Sequence, residues 1–462
     1  MSENTLTNNR GSFTGKIGFV LAAAGSAVGL GNAWRFPGLA AKYGGGIFLF
    51  VYLILVVTFG FALMATEIAI GRSTRLSCVE AYGKLNSKFR FLGPLTAMIP
   101  ILIVPYYCVI GGWVVKYMAE FLMGNGGALA GDAYFGNFIS VAASGFLNNP
   151  MPWFVGYVLL NAVILLLGVN KGIENISKLM MPLLVILAVV ISIYSLALPG
   201  AMEGLKFYLL PDFSKLSLST VLGAMGQMFY SMSLAMGIMI TYGSYMKDED
   251  NLEDSITQIQ IFDTGIAMLA GLMIIPSVVA FNGGSAEGIS AGPGLMFGVL
   301  PKVFATIGGG NLLGTAFFVL VFFAALTSSI SLLETFVSII QDRFHTTRKA
   351  TIIGATVFTI LVGSLSCLGY GPLSGITVLG MAFLDFFDFF TNSILMPISA
   401  LLTCILVGYV VGPKFVSDEI TKVGYSFRRE KLYNVMIRYI APVILAVILL
   451  GEIAKFFGFI SI

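Results

Sequence analysis

The chain has 462 residues, of which 57% are hydrophobic and only 11% are charged, and its formal net charge is +3. This composition excludes an ordinary soluble protein, gives no reason to expect a nucleic-acid partner, and indicates a chain that crosses the lipid bilayer many times. The single histidine, His345, and four cysteines without metal-ligand spacing argue against a histidine-based metal site or a Ser-His-Asp triad.

Apolar runs of about 20 residues predict eleven membrane spans. We place them at residues 16–37, 45–70, 93–122, 152–170, 175–198, 218–245, 258–281, 311–341, 350–369, 382–411 and 436–460. Loops rich in lysine and arginine follow the second, fourth, eighth and tenth spans, whereas residues 123–150 contain neither. Because basic loops stay in the cytoplasm, we expect a plasma-membrane protein with its N-terminus inside and its C-terminus outside.

The first span is interrupted where a helix should run unbroken. Gly29 and Gly31 weaken a helix, and Asn32 and Arg35 bring polar groups to membrane depth. An irregular backbone inside a membrane is tolerated where it lines a cavity within the protein, so this segment predicts a binding site. The alternative is a helix-packing face made of small residues.

The sixth span has a second interruption, between Gly226 and Gly237, where Gln227, Ser231 and Ser233 break an apolar run. Spans one to five and spans six to ten begin on opposite sides of the membrane. Paired broken helices in oppositely oriented halves indicate a transporter site at the midplane. We therefore predict an all-α polytopic membrane protein with a five-plus-five inverted repeat, broken helices one and six, and an eleventh helix.

This topology divides the chain into six parts. They are a cytoplasmic N-terminal segment, a first transmembrane repeat of five helices, an external loop, a second repeat of five helices, a cytoplasmic loop and helix 11, at residues 1–15, 16–198, 199–217, 218–411, 412–435 and 436–462. A further external loop, 282–310, has enough apolar residues to fold back over the protein as a lid, or to pack as an ordinary surface loop.

The broken helices offer binding chemistry of two kinds. Unwinding frees backbone N–H groups that suit a carboxylate, and it frees carbonyl groups that suit a small cation or an ammonium group. Side-chain oxygens of Asn32, Ser231 and Asp263 can complete a sodium shell. The hydroxyls of Thr327 and Ser328 in span eight are further oxygen ligands, unless they bond back to their own helix.

The motifs resemble those of the neurotransmitter:sodium symporter family, in particular its bacterial eleven-helix amino-acid transporters. They are Ala27 to Pro37, Gly71-Arg72, Tyr106-Tyr107, Lys171 to Glu174, Gln227 to Gly237 and Thr327-Ser328-Ser329. The resemblance implies a sodium-coupled symporter, not an enzyme, that imports a neutral, hydrophobic or aromatic amino acid by alternating access. A ligand-gated channel or an amino-acid sensor on the same fold is the alternative, and the serines lack a base for a membrane-embedded hydrolase.

The resemblance also implies two sodium sites, a substrate pocket and two gates. The first sodium site would use Ala27, Asn32, Ser231 and Asp263, and the second would use Gly25, Val28, Ala324, Thr327 and Ser328. The substrate would contact Ala27, Leu30, Gly31, Ile103, Tyr107, Tyr230, Ser231, Ser233, Met236, Ser328 and Leu332. The outer gate would pair Arg35 with Asp388, and the inner gate would pair Arg10 with Asp342 near Tyr245.

Four positions depart from the family pattern. Tyr230 and Met236 stand where phenylalanine is frequent, which weakens the inference of substrate from the resemblance. Ala235 stands where the unwound sixth helix often has glycine, which would limit local flexibility. Asp263 stands where many relatives carry asparagine, and its carboxylate can supply the negative charge that chloride supplies in eukaryotic relatives. We therefore expect transport to use two sodium ions and not to require chloride.

Overall fold

The computed structural model describes residues 11–285, 289 and 292–456, and its regular elements in these ranges are helices. The membrane helices are numbered in chain order. Helices 1 to 5 are Lys16–Ala27 with Gly31–Lys42, Gly46–Thr74, Leu92–Leu122, Pro150–Leu166 and Val169–Leu196. Helices 6 to 11 are Leu218–Ser231 with Ile238–Tyr245, Leu252–Phe281, Gly310–Phe344, Arg348–Leu368, Phe383–Val410 and Glu430–Ala454.

Most of these helices have the length and apolarity of a membrane span. Within the described ranges, eight helices are individually long and apolar enough to cross a membrane, and the bent pair that forms helix 1 raises the number to nine. Helix 4 has 17 residues, and helix 6 is divided into two short halves, so neither is a long continuous run. The predicted all-helical multi-pass fold is confirmed.

Helix 1 is broken where the glycines are. Its N-terminal half, which we call the inner half after the predicted orientation, ends at Ala27, and Val28 is extended, with φ −74° and ψ 98°. The outer half starts with a π-helical turn, Gly31–Arg35, and the two halves differ in direction by 50°. The Gly29 N–H, freed by the break, donates to Oδ1 of Asn32 at 3.2 Å. The expected interruption of the first span is therefore confirmed.

Helix 6 is broken between Ser231 and Ile238, as expected. Ser233, Ala235 and Gly237 in this stretch have left-handed φ angles of 53°, 61° and 75°. Such a conformation is unfavourable for residues other than glycine unless the surroundings impose it. Glu67 of helix 2 provides one constraint, because its Oε1 accepts a hydrogen bond from the Ala235 N–H at 2.6 Å. Alanine at this position does not prevent the unwinding.

The boundary between helices 4 and 5 lies earlier than the apolar pattern predicts. Helix 4 ends at Leu166, and helix 5 begins with a π-helical turn at Val169. Gly168 makes the tight connection with φ 88°, a conformation that other residues rarely adopt. Lys171, which hydropathy assigned to the loop, consequently lies in the first turn of helix 5.

The described C-terminal part of the loop 282–310, which we predict to be external, folds back over helices 1 and 3. Its helical part, Leu295–Thr306, places Phe297 against the rings of Trp34 and Trp113, with both centroid distances at 5.9 Å. The hydroxyl of Tyr117 donates to the Phe297 carbonyl at 3.0 Å. These contacts join the segment to the outer half of helix 1, directly above the break.

Candidate functional site

A narrow cavity of about 20 Å³ lies between the breaks of helices 1 and 6. Its walls come from helices 1, 3, 6 and 8. The lining residues are Ser26, Ala27, Gly29, Leu30, Gly31, Ile103, Tyr107, Tyr230, Ser233, Met236, Ile238, Ser328 and Leu332. The structure thus brings together all the residues predicted for the substrate pocket except Ser231. It adds Ser26, Gly29 and Ile238, which the sequence analysis did not assign to the pocket.

The polar end of this cavity is at the break of helix 1. The Leu30 N–H donates to the hydroxyl of Tyr107 at 3.2 Å, so this hydroxyl lies at an amide that the break has freed. The side-chain amide of Gln227 donates to the Gly31 carbonyl at 2.9 Å. An ideal Cβ placed on Gly31 would lie 2.6 Å from a ring carbon of Tyr230. Glycine is therefore required for the two broken helices to approach this closely.

The opposite wall of the cavity is apolar apart from the hydroxyls of Ser26, Ser233 and Ser328. Ile103, Met236 and Leu332 contribute apolar side chains, and all three are buried. The hydroxyl of Ser233 donates to the Ser26 carbonyl at 3.1 Å, so this group is already paired within the protein. No lysine, arginine, aspartate or glutamate is among the lining residues, all of which lie in the described part of the chain. The cavity therefore has no counter-charge for a charged side chain.

Asp263 forms the centre of a buried polar cluster next to the cavity. Its Oδ1 accepts hydrogen bonds from the side-chain amide of Asn32 and the hydroxyl of Ser231, both at 2.8 Å. Its Oδ2 accepts from the hydroxyl of Tyr52 at 3.3 Å. A carboxylate with no exposed surface needs such donors, since its desolvation is otherwise very costly. Three side chains predicted for the first sodium site therefore meet here.

Two residues, Tyr52 in this cluster and Gln227 beside the cavity, had no role in the sequence-based hypothesis. Tyr52 lies in a continuous apolar run of helix 2, where no sequence pattern distinguishes it from a packed tyrosine. Gln227 was one of the polar residues that predicted the interruption of helix 6. The sequence did not show that its side chain contacts the break in helix 1. Its Oε1 is buried and accepts no hydrogen bond from the described residues.

A second group of oxygens lies between helix 8 and the inner half of helix 1. The Ser328 hydroxyl is 2.9 Å from the Ser26 carbonyl oxygen, 3.3 Å from that of Gly25 and 3.2 Å from that of Val28. The Thr327 hydroxyl donates to the Phe323 carbonyl of its own helix at 2.9 Å and lies 3.2 Å from the Ala324 carbonyl oxygen. The Thr327 hydroxyl therefore bonds within helix 8, whereas the Ser328 hydroxyl lies within hydrogen-bond distance of carbonyl oxygens of helix 1. The five residues predicted for the second sodium site lie together in this group.

The two residues predicted for the outer gate do not pair directly. Among the described residues, Arg35 and Asp388 form no ion pair within 4.0 Å. The Arg35 guanidinium instead lies over the ring of Tyr230, 5.0 Å from its centroid. Asp388 accepts hydrogen bonds from the side chains of Asn392 at 2.6 Å and Tyr106 at 3.3 Å. The ring of Tyr230 thus lies between the cavity and Arg35.

The inner gate prediction falls partly outside the described residues, because Arg10 is not among them. Asp342 accepts a hydrogen bond from the Ser77 N–H at 2.6 Å. The hydroxyl of Tyr245 donates to Glu334 at 2.9 Å, and Arg348 pairs with the same carboxylate at 2.6 Å. Glu334 has no exposed surface, so this pair is a buried ionic contact at the inner end of helices 6 and 8.

The N-terminal segment closes over this inner end. Phe13 is buried against Phe19, Tyr242 and Tyr245, with ring centroid distances between 5.6 and 6.1 Å. Its N–H donates to the Tyr245 carbonyl at 3.3 Å. The cavity is consequently covered by an aromatic cluster on the inner side and by Tyr230 on the outer side.

Comparison with known proteins identifies relatives that span almost the whole chain. The model of the sodium:neurotransmitter symporter family matches residues 10–125 and 138–459. The chain is 34% identical to the uncharacterized sodium-dependent transporter YhdH of Bacillus subtilis, over 95% of this chain and 96% of that protein. It is 28% identical to the human sodium- and chloride-dependent GABA transporter 2, over 91% of this chain and 76% of that protein.

A solved structure is similar in both fold and sequence. The crystal structure of MhsT in complex with L-phenylalanine matches with a TM-score of 0.86 and 34% identity. The match covers 96% of this chain and 100% of that chain. The similarity therefore extends over the broken helices and the cavity between them.

Proposed function

The chain belongs to the sodium:neurotransmitter symporter family, and on that premise we propose that it imports a neutral, hydrophobic or aromatic amino acid together with two sodium ions. Membership makes it a multi-pass, sodium-dependent transporter. The choice of substrate, the number of ions and the direction of transport are our proposals. In the proposed orientation, the N-terminus is cytoplasmic, the C-terminus is external, and the protein lies in the plasma membrane.

The observation that carries the substrate class is an uncharged cavity between two broken helices. At its polar end, the Leu30 amide and the Tyr107 hydroxyl lie together, and the free N–H groups of a helix start favour binding of a carboxylate. Carbonyl groups of the breaks in helices 1 and 6 suit the ammonium group. The apolar wall receives the side chain. The phenylalanine bound by MhsT, which is 34% identical, supports this class of substrate.

The two oxygen clusters support coupling to sodium. Sodium is a hard cation that prefers carbonyl, hydroxyl and carboxylate oxygens. One cluster surrounds Asp263 and adjoins the substrate cavity, and the other lies between Ser328 and the inner half of helix 1. Both clusters include residues from the break in helix 1. Binding of sodium at either cluster would therefore stabilise the same broken backbone that receives the substrate.

Asp263 supports transport without chloride. A sodium ion and a carboxylate neutralise one another in a site from which water is excluded, so the site needs no external anion. The carboxylate is held in place by three side-chain donors, from Asn32, Ser231 and Tyr52. We propose that this fixed charge replaces chloride in the transport cycle.

Alternating access follows from the covers on both sides of the cavity. Tyr230 and Arg35 cover it on the outer side, and Phe13 with Tyr245 covers it on the inner side. Each ligand stabilises the states in which it is best coordinated, and transport results when the two covers open in turn. Glu334 and Arg348 contribute a contact that is present while the inner side is closed.

A competition experiment tests the substrate class. Uptake of labelled L-phenylalanine into proteoliposomes is measured in sodium buffer against an excess of each of the twenty common amino acids. Neutral hydrophobic and aromatic amino acids should compete, and aspartate, glutamate, lysine and arginine should not, because the cavity would leave their charges unpaired. Glycine would leave a void beside Met236 and should compete weakly. Competition confined to acidic or basic amino acids would contradict the proposal.

Replacing Gly29 by alanine should weaken substrate binding strongly while the fold is retained. A Cβ at this position would lie 2.6 Å from the Ser328 hydroxyl and 2.9 Å from the Tyr107 hydroxyl, so both polar side chains must move. Because such side chains position the ligand, we expect affinity for L-phenylalanine to fall at least about tenfold. Gly226→Ala is the control, since a Cβ there has no neighbouring atom within 4 Å. Equal affinities of the two variants in equilibrium binding would show that Gly29 does not border the substrate.

A further inference from the structure

An arginine is exposed on the membrane-facing surface of helix 11. Arg438 lies in a π-helical turn of this helix, Met436–Ile440. Helix 11 is the least buried of the eight individually long spans in the described ranges, with only 28% of its most apolar segment buried. Exposed Val435, Tyr439 and Val443, spaced by four residues, mark the face that the helix turns to the lipid. Arg438 directly precedes Tyr439 and therefore borders this face.

The side chain of Arg438 lies beside the end of helix 10. Its Nε donates to the Gly408 carbonyl at 3.3 Å, in the π-helical turn Leu406–Val410 that ends helix 10. The last carbonyl groups of a helix have no partner within it, so this bond caps helix 10. A Cβ on Gly408 would lie 3.0 Å from the Ile437 carbonyl oxygen, so the two helices meet closely here. Since helix 10 ends at this level, Arg438 lies near the boundary between hydrocarbon and headgroups.

Most of the hydrogen-bonding capacity of Arg438 is unused by the protein. The bond to Gly408 takes one of the five N–H groups of a guanidinium. Within the described ranges, no carboxylate lies within 4.0 Å of this guanidinium. Lys422 and Arg429, in the preceding loop, do pair with acids, namely Asp248 and Glu253. An unpaired charge beside the hydrocarbon is costly, so Arg438 calls for an anionic partner from outside the described chain.

Two tyrosines flank Arg438 on the same surface. Tyr409 is 59% exposed, and its hydroxyl donates to the Arg438 carbonyl. Tyr439 is 62% exposed, and its hydroxyl has no hydrogen-bond partner in the part of the chain that the structure describes. Tyrosine is typical of the membrane interface, where its hydroxyl reaches the headgroups. The guanidinium and the Tyr439 hydroxyl are therefore donors available to one ligand at headgroup level.

We propose that the helix 10–11 seam, formed by Gly408, Tyr409, Arg438 and Tyr439, binds the phosphate of an anionic phospholipid such as phosphatidylglycerol. Two parallel N–H groups of the guanidinium match two phosphate oxygens. The exposed face that continues through Val443 gives the acyl chains an apolar surface, which a free phosphate ion would not use. A zwitterionic lipid binds less well, because its own ammonium group repels the arginine. This inference goes beyond the proposed function and does not depend on the substrate carried.

The test is lipid binding to the full-length protein, purified in detergent, stripped of lipid and measured by native mass spectrometry. Wild-type protein should bind one phosphatidylglycerol more tightly than phosphatidylcholine of the same chains. Arg438→Gln should lower the affinity for phosphatidylglycerol about tenfold, and Arg438→Lys should lower it less, because the charge remains and only the fork is lost. Arg428→Gln is the matched control, since it removes the same charge from another exposed arginine near the start of helix 11 and should bind like the wild type.

Thermal unfolding separates lipid binding from the capping of helix 10. Phosphatidylglycerol should raise the unfolding temperature of the wild type and of Arg428→Gln, but not that of Arg438→Gln. Equal affinity and equal stabilisation in wild type and Arg438→Gln would overturn the site. An equal loss in Arg428→Gln would also overturn it, because the lipid would then respond to the basic loop as a whole. Displacement of the lipid by excess inorganic phosphate would identify a free-anion site and contradict the proposal. If Arg438→Gln does not fold, unchanged affinity in Arg438→Lys and Tyr439→Phe overturns the site.

Discussion

Replacing Asp263 by asparagine should lower uptake in chloride-free medium at least about a hundredfold, because a unit charge about 4 Å from a cation contributes roughly 4 kcal/mol at an effective dielectric constant of about 20. The substitution keeps the shape of the side chain and removes its charge. Added chloride should restore part of the uptake, since a small anion can then supply the missing charge. In the wild type, exchange of chloride for gluconate should have no effect on uptake.

The control for this substitution is Asp254→Asn in the same helix. Asp254 lies near the start of helix 7, where it is partly exposed to solvent and 3.8 Å from Lys16, so the loss of its charge should be nearly neutral. Uptake is measured in proteoliposomes in chloride and in gluconate buffers at matched sodium concentrations. Wild-type uptake by Asp263→Asn in gluconate would contradict the proposed role of the carboxylate. A strict chloride requirement of the wild type would contradict it equally.

Replacing Thr327 by valine should raise the sodium concentration for half-maximal uptake at least about tenfold, the loss expected for one oxygen contact to a charged group. Valine has nearly the same shape as threonine and lacks the hydroxyl. The hydroxyl lies beside the Ala324 carbonyl and in the same oxygen group as Ser328. The effect should appear as a change in sodium dependence, with little change in thermal unfolding.

Thr335→Val is the matched control on the same helix. The Thr335 hydroxyl is also buried and also donates to its own helix, to the Ser331 carbonyl at 2.8 Å. Both variants lose the same kind of internal hydrogen bond, so a difference between them reports the second oxygen cluster and not the stability of helix 8. The same sodium dependence in both variants would place the second sodium site elsewhere.

The broken helices were predictable because their causes are local. Gly29 and Gly31 weaken helix 1 whatever surrounds them, and the serines and Gln227 interrupt helix 6 within one short segment. The resemblance to a family then placed most pocket residues, and the structure brings them around one cavity. The apolar pattern failed at the connection of helices 4 and 5, because Gly168 makes a turn that hydropathy does not register.

Other parts of the site depend on which helices become neighbours. Tyr52 lies in an apolar run, and only the packing of helix 2 beside helix 7 brings its hydroxyl to Asp263. Arg35 lies in the middle of the outer half of helix 1, because this helix continues to Lys42, beyond the predicted end at residue 37. Asp388 lies near the start of helix 10, but it bonds to the helix 3 tyrosine and to its own helix. Glu452 of helix 11 lines one cavity with Arg35 of helix 1 for the same reason, since these two helices are distant in sequence.

Uptake of labelled L-phenylalanine into proteoliposomes that contain the purified protein tests sodium-coupled transport most directly. With high sodium outside and none inside, phenylalanine should accumulate above its external concentration. The accumulated label should leave when a sodium ionophore collapses the gradient, and equal sodium on both sides should give no accumulation. Entry that stops at the external concentration whatever the sodium gradient would identify a channel and contradict symport.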